Sequence, residues 1–119
     1  RVVVVFFFLM TRRPPGSSLF PYPTLFRSVR GRAVRTIEGL AHEDGSLHPI
    51  QQAVVDEQGF QCAFCMTGFV MSAVGFLQKN ANPTRSELAH GLSGNLCRCA
   101  DYDKILTTME RAAENMRQA

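Results

Sequence analysis

No stretch of this 119-residue sequence approaches the roughly 20 consecutive apolar residues that a bilayer-spanning helix needs, so membrane insertion is not expected. The apolar run at the start, RVVVVFFFLM, is far too short. A secretory or twin-arginine signal is missing too, because the charges follow that run, in TRRPPGSSLF, where a signal places them before it. The compartment expected is therefore the cytoplasm, with the periplasm left open. Position 1 is Arg rather than Met, which reads as a fragment. Cysteine is scarce: there are four and no fifth.

Acidic residues are absent from the first 28 positions. That stretch holds four of the 13 basic side chains, Arg1, Arg12, Arg13 and Arg27, which leaves nine against ten acids in the rest. The net charge of +3 belongs to it alone, and the remainder offers no electrostatic reason to expect a nucleic-acid partner. Its wording is unusual: MTRRPPGSSLFPYPTLFRS, Met10 to Ser28, closely resembles the conceptual translation of a common short-read sequencing adapter. The other reading is a disordered tail rich in Pro and Ser. Both set residues 1–28 apart from any fold. Long sequencing reads across the Val29 codon distinguish them, and a native coding sequence there refutes the adapter reading.

From Val29 the chain reads as an ordinary globular domain with a modest core. GRAVRTIEGLA, around Val34 and Ile37, predicts a short strand with nothing to pair with. Residues 29–45 are then a strand and linker, and 46–119 a helical domain. In the linker HEDGSLHP, Ser46 is the expected cap and Pro49 fits the first turn of a helix through IQQAVVDEQ that stops at Gly59. TGFVMSAVGFLQKN is apolar on most of its surface, as in a buried helix, with Thr67 as cap and Asn80 as a left-handed stop. NPTRSELAHGLSG carries a capping box, Thr84 with Glu87, and should end at Gly91 or Gly94. The last helix is expected from about Asp101, with Ile105, Met109, Ala112, Ala113 and Met116 on one face. The expected class is all-α, with four helices in two successive units of short helix, cysteine pair and longer helix, related by a pseudo-two-fold.

The four cysteines fall into two pairs, Cys62 and Cys65 in QCAFC, and Cys97 and Cys99 in LCRC. Cys-x-Cys makes a poor disulfide because the ring is tight and strained, and two disulfides would imply secretion. A thioredoxin-like pair at CAFC leaves Cys97 and Cys99 unexplained. Each pair immediately precedes a longer helix, where free backbone N–H groups and the helix dipole favour thiolates and an anionic centre. A 2Fe-2S cluster on four thiolates is such a centre. A zinc-stabilised structural or interaction module would use four cysteines as well, usually at spacings of about two to four residues. Spacing puts a metal site ahead of disulfides and leaves iron-sulfur and zinc both standing.

The wording of the motif goes further than its spacing. GFQCAFCMTGFVMSAVGFLQKNANPTRSELAHGLSGNLCRCADYDKI resembles the helical 2Fe-2S domain of the iron-sulfur subunits of molybdenum hydroxylases, a family that includes xanthine dehydrogenase, isoquinoline oxidoreductase and the small subunits of aerobic carbon monoxide dehydrogenase. The upstream VRTIEGLA and LHPIQQAVVDEQG also look like the family's approach to this domain. The resemblance covers Val29 to about Met116. It implies that Cys62, Cys65, Cys97 and Cys99 are the iron ligands of one 2Fe-2S cluster, and that Gln61 and Cys99 lie against a pterin. It implies no bond chemistry in this chain, which would be an electron-transfer subunit of an oxidoreductase. Its partners would be a large subunit with molybdopterin dinucleotide and a medium subunit with FAD. Electrons would pass singly from the molybdenum centre, through this domain and a second 2Fe-2S cluster, to FAD.

Three positions depart from the family's pattern. Ala63 and Asp101 stand where Gly is usual, and Thr67 where Pro is usual. The Ala63 methyl could crowd the cluster, and the Asp101 carboxylate would lower its potential. The family also carries a ferredoxin-like domain with its own four cysteines ahead of this one. With no fifth cysteine the chain holds one cluster, and GRAVRTIEGL resembles the closing strand of that missing domain. His42, His48 and His90 are read as surface or cap residues. Arg98 is read as an exposed or partner-facing charge, and Met66, Met71, Met109 and Met116 as packing.

Overall fold

The structure is a computed structural model that describes residues 30–31 and 33–118. The segment 1–28, read above as adapter or tail, lies outside the described residues. The compact unit treated below begins at Ile37.

Four helices and one short 3-10 turn make up this unit, and no strand occurs among the described residues. The strand expected around Val34 and Ile37 is replaced by chain without regular structure at 33–36 and by the 3-10 turn Ile37–Gly39. The physical reason is that no partner strand occurs among the described residues. Ile37 and Leu40 instead face the helical core together, three residues apart, with Leu40 buried. The Gln51 side chain holds this turn by donating to the Ile37 carbonyl at 3.4 Å.

Helix α1 is Pro49–Asp56. Its cap is His48 rather than Ser46: His48 Nδ1 accepts from the Ile50 N–H, and the Gln51 side chain accepts in return from the His48 N–H. This has the reciprocal form of a capping box. The helix ends earlier than Gly59, with Gln58 at φ 47° taking the left-handed position. Gln58 N–H bonds to the Val55 carbonyl and Gly59 N–H to that of Val54, the two bonds of a Schellman motif. Gly59 is kept free for another task, its close approach to Thr108.

Helix α2 is Met66–Leu77, and it buries Met66, Phe69, Val70, Ala73, Val74 and Leu77. Its N-cap is Cys65, with no side-chain cap bond, and not Thr67. Asn80 is not left-handed; its Oδ1 accepts from the Asn82 N–H in a local turn. Helix α3, Arg85–Leu92, starts with the expected Thr84/Glu87 capping box and ends between the two glycines. Gly91 lies inside it because a Cβ there would sit 2.6 Å from the Phe76 ring of α2. Helix α4, Tyr102–Gln118, buries Ile105, Thr108, Met109, Ala112 and Ala113, with Met116 packed beside them.

Packing crosses the two halves. The short α1 lies against the long α4 of the other unit, and the short α3 against the long α2, with α3 also touching α4. Arg85 ties α3 to α4 by ion pairs to Asp103 and Glu110 and a 3.0 Å bond to the Asp103 carbonyl. This exchange brings the loop before α2 and the loop before α4 to the same region, and each of those loops carries two cysteines. Among the described residues no helix is long and apolar enough to cross a membrane.

Candidate metal centre

The cysteines meet two by two across the loops. Cys99 Sγ lies 3.6 Å from Cys62 Sγ and donates to it, and Cys65 shares a side-chain hydrogen bond with Cys97. Each pair takes one thiol from each loop, so neither loop is complete alone. All four are free of disulfides; Cys97 is buried, Cys65 and Cys99 half-buried, and Cys62 exposed. Among the described residues no three His, Cys, Asp or Glu side chains are grouped to hold a single metal ion.

Backbone amides, thiol–thiol bonds and burial push the four thiols in different directions. The Phe64 N–H pulls Cys62 below the usual thiol range, helped by the bond from Cys99. The Asp101 N–H does the same for Cys97; burial opposes it, while the Cys65 thiol and the Cys99 and Ala100 amides add to it. Burial pushes Cys65 up, reinforced by Cys97. Cys99 feels the lowering Cys62 N–H most strongly, yet its bond to the Cys62 thiol, burial and neighbouring thiolates together push it up. Each pair thus holds one thiolate-prone sulfur and one proton-bearing partner.

Two loop residues adopt left-handed backbone, Ala63 at φ 61° and Ala100 at φ 59°. For a residue with a Cβ this costs about 1 kcal/mol or more. The cost of having Ala at 63 therefore falls on the backbone, where a Gly would be unstrained. At the second departure the left-handed residue is Ala100, not its neighbour Asp101.

Residues that the sequence did not single out hold the loops. Asn95 Nδ2 donates to Ser72 Oγ of α2 at 2.9 Å and to the Leu92 carbonyl at 3.1 Å, which ties the Cys97 loop to α2. Gly68 allows this, since a Cβ there would lie 2.6 Å from Asn95 Oδ1. The Cys97 N–H donates to the Tyr102 hydroxyl at 2.9 Å, and the Tyr102 ring meets Phe69 edge-on at 6.4 Å. Only the position of Asn95 just ahead of Leu96 and Cys97 hinted at such a task. Gln61 is exposed directly before Cys62, and Arg98 is exposed between Cys97 and Cys99. His48 is a helix cap, and His42 and His90 are exposed.

The donor set fits a 2Fe-2S cluster. Two pairs of thiols match the two thiolates that each iron takes, and amides aimed at sulfur suit an anionic centre. Kinship with known proteins agrees. The family described as 2Fe-2S binding domain matches residues 36–110. The chain is 46% identical to the small subunit of nicotine 6-hydroxylase from Paenarthrobacter nicotinovorans, over 76% of this chain and 54% of that protein. It is 42% identical to a nicotinate dehydrogenase subunit of Pseudomonas putida, over 74% of this chain and 55% of that protein. It therefore spans about half the length of these relatives. Among solved structures, quinoline 2-oxidoreductase of Pseudomonas putida 86 superposes with a TM-score of 0.66 at 33% identity, covering 75% of this chain and 56% of that one. With its crossed cysteine pairs and this kinship, the chain belongs to the 2Fe-2S binding domain family, in the form carried by molybdenum hydroxylases.

Proposed function

We propose that the chain is the electron-transfer part of a molybdenum-containing hydroxylase or dehydrogenase and performs no bond chemistry of its own. A 2Fe-2S cluster held here supplies one-electron transfer, between a molybdopterin centre on one side and a second 2Fe-2S cluster with FAD on the other. The observation that carries this reading is the convergence of four thiols from two loops onto amide donors.

Cys62, Cys65, Cys97 and Cys99 are the proposed iron ligands. Nearby amides hold Cys62 and Cys97 below the usual thiol range, which favours the thiolate form that iron takes. Gln61, exposed beside Cys62, and Cys99 are the proposed contacts to the pterin. Both of the relatives described above are named as single subunits of their enzymes, which supports assembly with other chains. The proposed partners are a molybdenum-binding large subunit, together with an FAD-binding medium subunit.

The test is anaerobic reconstitution of the full chain with iron and sulfide. The expected product is brown, holds two irons per chain and gives a rhombic EPR signal on reduction. A colourless protein with one stoichiometric zinc overturns the reading. Single Cys→Ser variants at the four positions should each lose the cluster while keeping helical circular dichroism.

A further inference from the structure

Both cysteine loops repeat one backbone device. In the first, Ala63 is left-handed and the next amide, that of Phe64, lies where it favours the Cys62 thiolate. In the second, Ala100 is left-handed and the next amide, that of Asp101, does the same for the Cys97 thiolate. Successive amides around a left-handed residue form a concave nest that binds anions. Among the described residues only one other non-glycine, Gln58, has positive φ, and it ends a helix. The strained alanines are thus concentrated where amides must turn inward. Local bonds fix the turns on either side: Met66 N–H to the Ala63 carbonyl at 3.0 Å, and Ala100 N–H to the Cys97 carbonyl at 3.2 Å.

We propose that Ala63 and Ala100 are positioning residues that raise the reduction potential of a cluster at this site, by holding the turns that aim the Phe64 and Asp101 amides at the Cys62 and Cys97 sulfurs. The inference rests on the cluster reading given above. A reduced cluster carries one more negative charge than an oxidised one, so N–H groups aimed at its sulfurs stabilise the reduced form more. Turning those amides away lowers the potential. The alanine methyl has no part in this, because only the backbone conformation aims the amide.

Glycine and valine variants separate conformation from side chain. Glycine keeps the left-handed turn without strain, whereas a β-branched residue disfavours it. In the reconstituted full chain, Ala63→Gly and Ala100→Gly should keep the parent potential in an EPR-monitored titration and unfold at higher temperature. Ala63→Val and Ala100→Val should titrate at lower potential. Valine variants that load at the parent potential, or glycine variants that shift downward, overturn the inference.

A second measurement on the parent covers the case in which valine variants do not load. After exchange into deuterated buffer, the reduced parent should lose hyperfine couplings from exchangeable protons near the cluster, and the glycine variants should lose the same ones. A parent without such couplings overturns the inference. A parent that binds no 2Fe-2S cluster instead overturns the reading beneath it.

Discussion

Gly59→Ala gives a sharp test of how the first cysteine loop is held. Gly59 is buried and its backbone is not left-handed, so a methyl group is costly only through what it meets. A Cβ would lie 2.0 Å from Thr108 Oγ1, 2.8 Å from Thr108 Cβ and 2.9 Å from Thr108 Cγ2. Thr108 is fully buried, and its hydroxyl donates to the Lys104 carbonyl at 2.9 Å. Rotating it breaks that bond, worth about 1 kcal/mol, and still leaves the Cβ contact. Overpacking of this kind costs about 1–3 kcal/mol. The sum is about 2–4 kcal/mol, which for a domain of this size lowers Tm on the order of 10 °C or more. Thermal unfolding of the metal-free chain followed by circular dichroism measures it. Since Gly59 stands three residues before Cys62, cluster loading should fall as well. Thr108→Ala removes two of the three clashing atoms, so Gly59→Ala/Thr108→Ala should be more stable than the two single changes added together. A Tm within about 2 °C of the parent, or strict additivity, refutes the reasoning.

Asn95→Ala removes both bonds that tie the Cys97 loop to α2 and α3, and should cost about 2 kcal/mol at about 1 kcal/mol per bond. Loading, read from visible absorbance per chain, should drop further than helix content; equal losses refute a positioning role. The Thr84 N–H, with the Thr84 hydroxyl, holds Glu87 below the ordinary carboxylate value of 4.5. A lowered folded-state pKa means that its contribution is full above that value and is lost as pH falls through the folded one. The Tm gap between parent and Glu87→Gln should therefore close only below about pH 4.5, and a gap independent of pH contradicts this. Asp101→Gly removes an acidic side chain close in sequence to Cys99 while keeping the amide, so the reconstituted cluster should titrate at higher potential; a downward shift contradicts the charge argument.

Much of the site was legible in the sequence because its determinants are local. The spacing of Cys62 with Cys65 and of Cys97 with Cys99, each ahead of a longer helix, is a property of short segments. So is the Thr84/Glu87 capping box, which closes within one turn, and the 3–4 spacing of Ile105, Met109, Ala112 and Ala113 on α4. The errors arose where a distant contact overrules a local preference. GRAVRTIEGLA has strand-like residues, but Ile37 and Leu40 gain more by packing into the helical core than an unpaired strand can offer. His48 caps α1 because Gln51 completes the box from the other side, although Ser46 is the better cap in isolation. Gly59 supplies one of the bonds that end its helix, but Gln58 takes the left-handed position, and Thr108 fills the space that a side chain at 59 would need.

The sequence by itself determined the four helices in two units found among the described residues, and that two thiols precede each of the longer ones, since these follow from periodicity, capping and spacing. Tertiary structure alone decided how the thiols pair. Cys62 meets Cys99, and Cys65 meets Cys97, because α1 packs on α4 and α3 on α2, and no local rule says which helix of one unit seeks which of the other. It also decided that Ala63 and Ala100 take left-handed backbone, because local preference disfavours that conformation for any residue with a Cβ and only the surrounding loop can impose it.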